Sequence, residues 1–396
     1  MKFALVSLGL PQSGQSLVLY HLLRDIEPDQ YCLITQKNFH LYGSQGNGSS
    51  SLPGKYYHIN PDYQIVRGML GLASRAHITS ILNTLLKIRV HQLQKIIRQE
   101  GCEAVVACTG DLFDPPAAYH VSRSLGIPYI LYAFDHYSHQ WMPPLLHAFA
   151  QKHERQLVPG AAEVIVPNEF LGREYRRAYG VEATVLHNPC DLSRYEADPG
   201  VNGTERKRET TILYTGAIYE AHYDAFQNLV NALESLGRPE IHLHIYTPQS
   251  ESRLRANGIS GDFVTYHQNQ PIFTMPEIQQ KADILFLPLA FNSPYPEIVK
   301  TASPGKLGEL LAARRPVLVH APADSFVSWY FKQHSCGLVV AHNDPVELAE
   351  GIESLIKNQE LRRNLSNAAY IRAKEDFDGM NIKKKFVDLL EARCMG

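Results

Sequence analysis

The sequence predicts two doubly wound α/β halves, each a parallel sheet with helices on both faces. Three observations lead there. Short apolar runs rich in β-branched and aromatic residues alternate with helix-forming stretches along the whole 396-residue chain. A polar, turn-rich stretch, Asp191–Glu209 (DLSRYEADPGVNGTERKRE), interrupts that alternation near the middle and reads as a linker. Residues able to do chemistry gather just after the strand-like runs, and in open parallel sheets ligands sit at the carboxyl ends of strands.

In the first half, Lys2–Leu8 reads as a strand that begins almost at the first residue, with no signal-peptide pattern before it. A loop Gly9–Gly14 leads to a helix around Ser16–Asp25, and Tyr31–Thr35 is the next strand. Tyr42–Pro53 (YGSQGNGSSSLP) has the composition of a loop. A long helical region follows over Ile65–Arg98. Then come the strand Ala104–Cys108, the helix Pro116–Leu125, the strand Tyr129–Ala133 and a helix near Leu145–Gln156. The strands Glu163–Val166 and Ala183–Leu186 end this half.

The second half repeats the pattern. Strands are expected at Thr211–Tyr214, His242–Tyr246, Phe263–Tyr266, Ile284–Leu287, Val317–Val319 and Gly337–Val340. Helices are expected near Asp224–Leu236, Met275–Lys281 and Pro304–Ala313, followed by Pro345–Lys357 and Leu361–Lys374. The domains are therefore 1–190 and 191–376, with the last helix, within 377–396, packing back on the first.

Composition narrows the function classes. The formal charge of −2 gives no support for a general nucleic-acid binder. Six cysteines are scattered without a Cys-x-x-Cys pair, which suits reduced thiols in a cytoplasmic protein better than a disulfide framework or a zinc site. No apolar run is long enough to span a bilayer, and the Asn-x-Ser/Thr matches at Asn47, Asn202 and Asn364 carry little weight.

The stretch Thr301–Val319 (TASPGKLGELLAARRPVLV) reads as loop, helix, strand. Ser303 suits a helix N-cap and Pro304 the first helical position. Arg314 and Arg315 suit the end, and Pro316 stops the helix. Free N–H groups of the first turn, near Gly305 and Leu307, together with the Lys306 charge, form a candidate phosphate site. Glu309, one turn in, is placed to accept from two neighbouring hydroxyls. Phosphate plus vicinal diol describes a nucleotide; an ordinary capped helix is the plain alternative.

Other candidates follow strand ends. Gly9-Leu10-Pro11-Gln12-Ser13-Gly14-Gln15-Ser16 nearly matches a P-loop, but Gln15 stands where the lysine belongs. Gly14 there either lets backbone approach a ligand or makes a plain turn. In Asp135-His136-Tyr137-Ser138-His139, a His beside a carboxylate can move a proton or orient a sugar hydroxyl. A metal site from Asp135, His136 and His139 is the weaker alternative there, and Thr109-Gly110-Asp111 is a lesser candidate of the same kind. Within 67–98, Arg67, Arg75, Lys87, Arg89, Lys95 and Arg98 stand without any Asp or Glu. That basic face suits a solvated helix side or peripheral contact with anionic lipid.

Ala161–Tyr195 joins a strand ending in Pro167-Asn168, an arginine-rich helix, and a strand ending in His187-Asn188-Pro189. It resembles the end of the first domain in GT-B glycosyltransferases, notably the retaining family 4 of bacterial polysaccharide type. Ile212–Ala217 is similar to the opening of their second domain, Ala282–Pro288 to their A-D-x-x-x-x-P strand, and Thr301–Val319 to their donor-site segment. The resemblance implies a GT-B fold with two Rossmann-like domains facing a central cleft. It implies a nucleotide-sugar donor held mainly by the second domain, and a glycan or lipid-linked glycan acceptor mainly by the first. On it, Glu309 holds the ribose, while Lys306 and the amides near Gly305 and Leu307 hold the diphosphate. Gly14, Gly216, Thr247, His267, Thr301 and Ser303 join the donor site, with His267 near the base. Asp135 or His136 faces the reacting sugar.

Two departures stand out. Many members carry a Glu eight residues before the ribose-binding one, where this chain has Thr301. Many carry an Arg and a Lys after the second domain's first glycine, where this chain reads Gly216-Ala217-Ile218-Tyr219-Glu220-Ala221-His222. The resulting expectation is a hexosyltransferase using a UDP-sugar, with glucose as the leading sugar and retention as the outcome. It needs no cofactor and no metal, and it is cytoplasmic, with possible peripheral contact at the inner face of the plasma membrane through 67–98. A sugar-nucleotide epimerase and a non-catalytic nucleotide-sugar binder are the alternatives.

Overall fold

The computed structural model of the chain describes residues 1–7, 14–36, 52–60, 75–196 and 209–394. Most of the Gly9–Gly14 loop, nearly all of the Tyr42–Pro53 loop, the first part of the basic region and most of the expected linker lie outside the described residues. The chain divides into two compact units, Met1–Pro189 with Met380–Gly396, and Cys190–Gly379.

The first unit is built on a seven-stranded, all-parallel sheet. Its strands are β1 (Phe3–Val6), β2 (Tyr31–Gln36), β3 (Lys55–Ile59), β4 (Ala104–Cys108), β5 (Tyr129–Tyr132), β6 (Glu163–Val166) and β7 (Thr184–Val185), in the order β3-β2-β1-β4-β5-β6-β7. Strands such as FALV and AVVAC are apolar throughout because both sheet faces are covered. Helix α1 (Gln15–Leu23) covers one face with Val18, Leu19, Leu22 and Leu23. The helices α2 (Arg75–Glu100), α3 (Asp114–Leu125), α4 (Pro144–Leu157) and α5 (Glu169–Tyr179) pack on the other. Strand β3 was not expected from the sequence; its KYYHI carries no clear burial pattern and sits at the sheet edge.

The second unit holds a six-stranded, all-parallel sheet. Its strands are β8 (Thr210–Thr215), β9 (Ile241–Thr247), β10 (Val264–Gln268), β11 (Ile284–Pro288), β12 (Val317–His320) and β13 (Leu338–Val340), ordered β10-β9-β8-β11-β12-β13. Its helices begin with α6 (Tyr223–Leu236), α7 (Glu251–Ala256) and α8 (Met275–Lys281). They continue with α9 (Pro296–Thr301), α10 (Leu307–Ala312), α11 (Phe326–His334), α12 (Pro345–Lys357) and α13 (Gln359–Asp376). In each sheet the strand order reverses direction once, between β1 and β4 and between β8 and β11, and such a switch point is where a doubly wound sheet opens for ligands.

The last helix, α14 (Gly379–Cys394), belongs to the first unit, where Ile382, Phe386 and Leu390 join the core beside α1. Arg393 Nε donates to Glu163 Oε2 at 3.0 Å. The chain therefore passes between units twice, and the two crossings are joined: Cys190 N donates to Phe377 O (2.8 Å) and Gly379 N to Cys190 O (2.9 Å).

The structure departs from the sequence expectation at Arg89 and at the start of α10. Arg89 is not part of a lipid-facing surface. It is 2% exposed, its Nη1 bonds Asp114 Oδ1, and Asp111 Oδ1 stands 3.8 Å away. The exposed basic residues of described α2 are Lys87, Lys95 and Arg98. The helix expected at Pro304–Ala313 begins three residues later, at Leu307, with Lys306 and not Ser303 at its cap. The segment before it turns instead, and Leu307 N donates to Pro304 O at 2.9 Å. Arg314 follows the helix end with a positive φ of 54° and lies over the Tyr370 ring, 3.7 Å from its centroid.

Candidate donor site and the residues around it

At the carboxyl end of β8 the chain turns at Gly216, whose φ of +125° no L side chain adopts comfortably. Its N–H donates to Tyr246 O at 2.8 Å. Lys306 reaches this turn. Its Nζ donates to Thr215 O at 2.7 Å, and it lies over the Tyr214 ring, 3.5 Å from the centroid. A Cβ at Gly216 would stand 3.4 Å from that Nζ. Burial holds the Lys306 ammonium down to about 7, against the upward pull of Glu309. His222, at the cap of α6, is pushed down to about 3 by burial and by Lys306, so it is a neutral neighbour at pH 7.

Glu309 lies in the first turn of α10. Burial pushes its carboxyl up to about 6, while Gln279, Lys306 and Arg194 draw it down. Gln279 Nε2 lies 3.5 Å from Glu309 Oε2 and 3.4 Å from Thr215 Oγ1. Its Oε1 accepts from Tyr195 Oη at 2.7 Å, which fixes the amide so that the NH2 faces the carboxylate. Neither Gln279, inside the expected helix Met275–Lys281, nor Tyr195, where the resembling stretch runs into the expected linker, carries a sequence signal for this site.

The other donor-site candidates divide. Thr247 is buried, and its Oγ1 donates to Gln249 Oε1 at 2.6 Å, an oxygen that also accepts from Ile218 N at 2.9 Å. This ties the loop after β9 to the loop after β8. The His267 ring lies flat on Tyr246, with centroids 4.2 Å apart and planes 8° apart. Burial and His244 lower its basicity. Thr301 is buried, and its Oγ1 donates back to Glu297 O of its own helix at 2.9 Å. Ser303 and Gly305 lie in the turn between α9 and α10. The Leu307 N–H, expected to face a phosphate, is engaged by Pro304 O.

In the first unit Gly14 begins α1 with a φ of 57°, and a Cβ there would meet nothing within 4 Å. Gln15 Nε2 donates to Thr109 O at 2.9 Å, so the residue in the P-loop lysine's place is held by the protein itself. Thr109 Oγ1 accepts from Phe134 N (2.9 Å) and Asp135 N (3.4 Å). Asp111 Oδ1 accepts from Phe113 N and Asp114 N at the start of α3. Both serve the scaffold. Asp135, after β5, has its carboxyl raised to about 7 by burial. His136 Nδ1 lies 3.3 Å from Glu154 Oε1 of α4. Glu154 is fully buried and also accepts from Tyr179 Oη (2.9 Å) and Ser138 N (3.4 Å). Burial raises that carboxyl, and the bonds from His136, Ser138 and Tyr179 outweigh it and hold it low. Among the described residues no group of three or more His, Cys, Asp and Glu could hold a metal ion.

These two parallel sheets, with strand orders that reverse once and candidate groups after the strand ends, have the GT-B architecture. Residues 71–194 match the family model described as Glycosyltransferase Family 4, and residues 209–358 the model described as Glycosyl transferases group 1. The matches fall in both halves and together span most of the chain, which belongs to the GT-B glycosyltransferases. None of the curated proteins is significantly similar to it in sequence. Among solved structures, HepE from Anabaena in complex with UDP is similar with a TM-score of 0.70 at 13% identity, covering 99% of this chain and 100% of that one. Sucrose-phosphate synthase from Thermosynechococcus elongatus gives 0.69 at 14%, covering 99% and 98%. A glycosyltransferase from Rickettsia africae gives 0.68 at 13%, covering 98% and 97%.

Proposed function

We propose that the protein transfers a hexose from a UDP-sugar, with glucose as the first candidate, to a glycan or lipid-linked glycan, with retention at the anomeric carbon. The observation that carries this reading is the pairing of Lys306 and Glu309 across one turn of α10, beside the Gly216 turn at the end of β8. A half-buried ammonium suits a diphosphate, and a carboxylate one turn on suits a ribose diol. HepE, similar over the whole chain, has been solved with UDP and with UDP-glucose.

In this reading Lys306 leaves Thr215 O for the donor's phosphates and stabilises the departing diphosphate, supplying the positive charge with no need of a metal ion. Glu309 accepts from the ribose hydroxyls, with Gln279 behind it. The leaving diphosphate itself takes the acceptor proton in a front-face substitution. Asp135 or His136 faces the sugar and the acceptor, with Glu154 beside His136. Should the reaction invert, Asp135 or His136 is the base. The protein then works in the cytoplasm, with the exposed Lys87, Lys95 and Arg98 of α2 either solvated or in peripheral contact with anionic lipid.

The test is titration of the full chain with UDP, GDP and ADP, followed by product analysis with UDP-glucose. Tightest binding of UDP and a new glycoside of unchanged anomeric configuration are expected. An epimerised sugar nucleotide, or binding without turnover, would replace the transferase reading.

A further inference from the structure

One face of the second sheet carries a chain of ring nitrogens with no part in the mechanism above. Thr215, Tyr246 and His267 stand in register on β8, β9 and β10, so their side chains leave the same face. Thr215 is where Lys306 and Gln279 meet the strand end. His267 lies two strands away, roughly 10 Å at the usual strand spacing. That separation suits the two ends of a nucleoside diphosphate, and the His267 ring lies flat on Tyr246.

Only one arrangement of protons satisfies the chain when both rings are neutral. Glu209 Oε1 lies 3.0 Å from His244 Nε2, and a carboxylate only accepts, so that nitrogen carries the proton. His244 Nδ1 is then bare. It lies 2.9 Å from His267 Nε2, which must donate to it. The remaining nitrogen, His267 Nδ1, is left as an acceptor.

We propose that Glu209 and His244 fix His267 as a hydrogen-bond acceptor at the base end of the donor site. Such a site takes a base with a ring N–H, as uracil has at N3, over one whose corresponding nitrogen is bare, as in cytosine and adenine. Guanine shares the ring N–H, so the chain separates uracil from cytosine, not from guanine. The inference rests on the nucleotide-sugar reading and gives uridine a residue-level cause. Glu209 and His244 are positioning residues, and His267 is the one that meets the base.

The test compares UDP and CDP affinities by calorimetry on the full chain, with the His267 tautomer read from long-range 15N correlation spectra. Wild type is expected to carry the proton on Nε2 and to prefer UDP by about tenfold, the usual effect of one unmatched polar pair. His244→Phe keeps a flat ring in the stack but removes the nitrogens. It should give a mixed His267 tautomer and bring the UDP preference within about threefold, as the lost pairing predicts. If that variant does not fold, Glu209→Leu at the sheet margin reads the same ratio. A wild-type proton on Nδ1, or an unchanged ratio in a folded variant, overturns the proposal. Failure of UDP, CDP, ADP and GDP all to bind at millimolar concentration removes the nucleotide reading as well. Binding with an unchanged ratio removes the histidine chain alone.

Discussion

Lys306 and Glu309 are each displaced from their ordinary ionisation, and the two displacements define a pH window for ligand binding. Lys306 titrates at about 7 in the free protein, so a bound diphosphate, which favours the charged form, should draw a proton onto it. Glu309 titrates at about 6 and must be ionised to accept from two hydroxyls. UDP affinity is therefore expected to fall above pH 7, where the free Lys306 is neutral, and below pH 6, where Glu309 is protonated. Calorimetry at pH 7.5 in buffers of different ionisation enthalpy should show net proton uptake that Lys306→Ala abolishes. The same substitution should weaken UDP binding by about ten- to a hundredfold, the range for a charge-assisted contact. Glu309→Gln should remove the acidic limb alone. Absence of both limbs in the wild-type protein would disconnect these residues from the ligand.

At the scale of elements, α10 is short and its place depends on one small residue. A Cβ on Gly308 would stand 2.8 Å from Cys190 Cβ and 3.0 Å from Phe377 Cβ, where the two chain crossings lie. Gly308→Val should lower stability by about 1–3 kcal/mol through overpacking, and should weaken UDP binding because Glu309 is the next residue. Thermal denaturation with and without UDP checks both. The basic helix α2 separates its arginines by burial. Arg89→Met, which leaves Asp114 buried without its partner, should cost about 3–5 kcal/mol in a denaturant titration. Reversing the exposed Lys87 and Lys95 to Glu should leave stability within about 0.5 kcal/mol. If the helix meets anionic lipid, the same reversal reduces co-sedimentation with phosphatidylserine vesicles at low salt; equal sedimentation would remove the membrane contact.

For the whole molecule, the return of α14 to the first unit predicts unequal consequences of truncation. Removal of residues 380–396 exposes the core beside Ile382, Phe386 and Leu390, which are worth about 1.5–3 kcal/mol each when buried. The second unit keeps all of its strands. Calorimetric unfolding of the truncated chain should therefore show the first unit's transition lowered, and a second transition that UDP still raises. A single transition, lost as a whole on truncation, would mean that the two units unfold together.

The alternation of apolar strand runs with helical stretches determined the two parallel sheets and nearly all strand positions, because buried parallel strands must be apolar throughout and helices must present one apolar face. It also made Lys306 and Glu309 visible, since a lysine and a glutamate three residues apart at a loop-to-helix junction are close whatever surrounds them. The sequence did not show that the helix starts at Leu307 and not Pro304, a choice made by the turn that closes on Pro304 O. It did not distinguish Arg89 from the exposed lysines of α2, because burial of a charge depends on a carboxylate brought from another helix. Gln279 behind Glu309, Glu154 behind His136, and the chain from Glu209 to His267 were equally hidden. Each joins residues from 18 to 35 positions apart whose contact exists only once the sheets are assembled. Periodicity and local chemistry set the elements; which polar side chains meet is a property of the packed structure, where a buried polar group must find whatever partner the fold brings within reach.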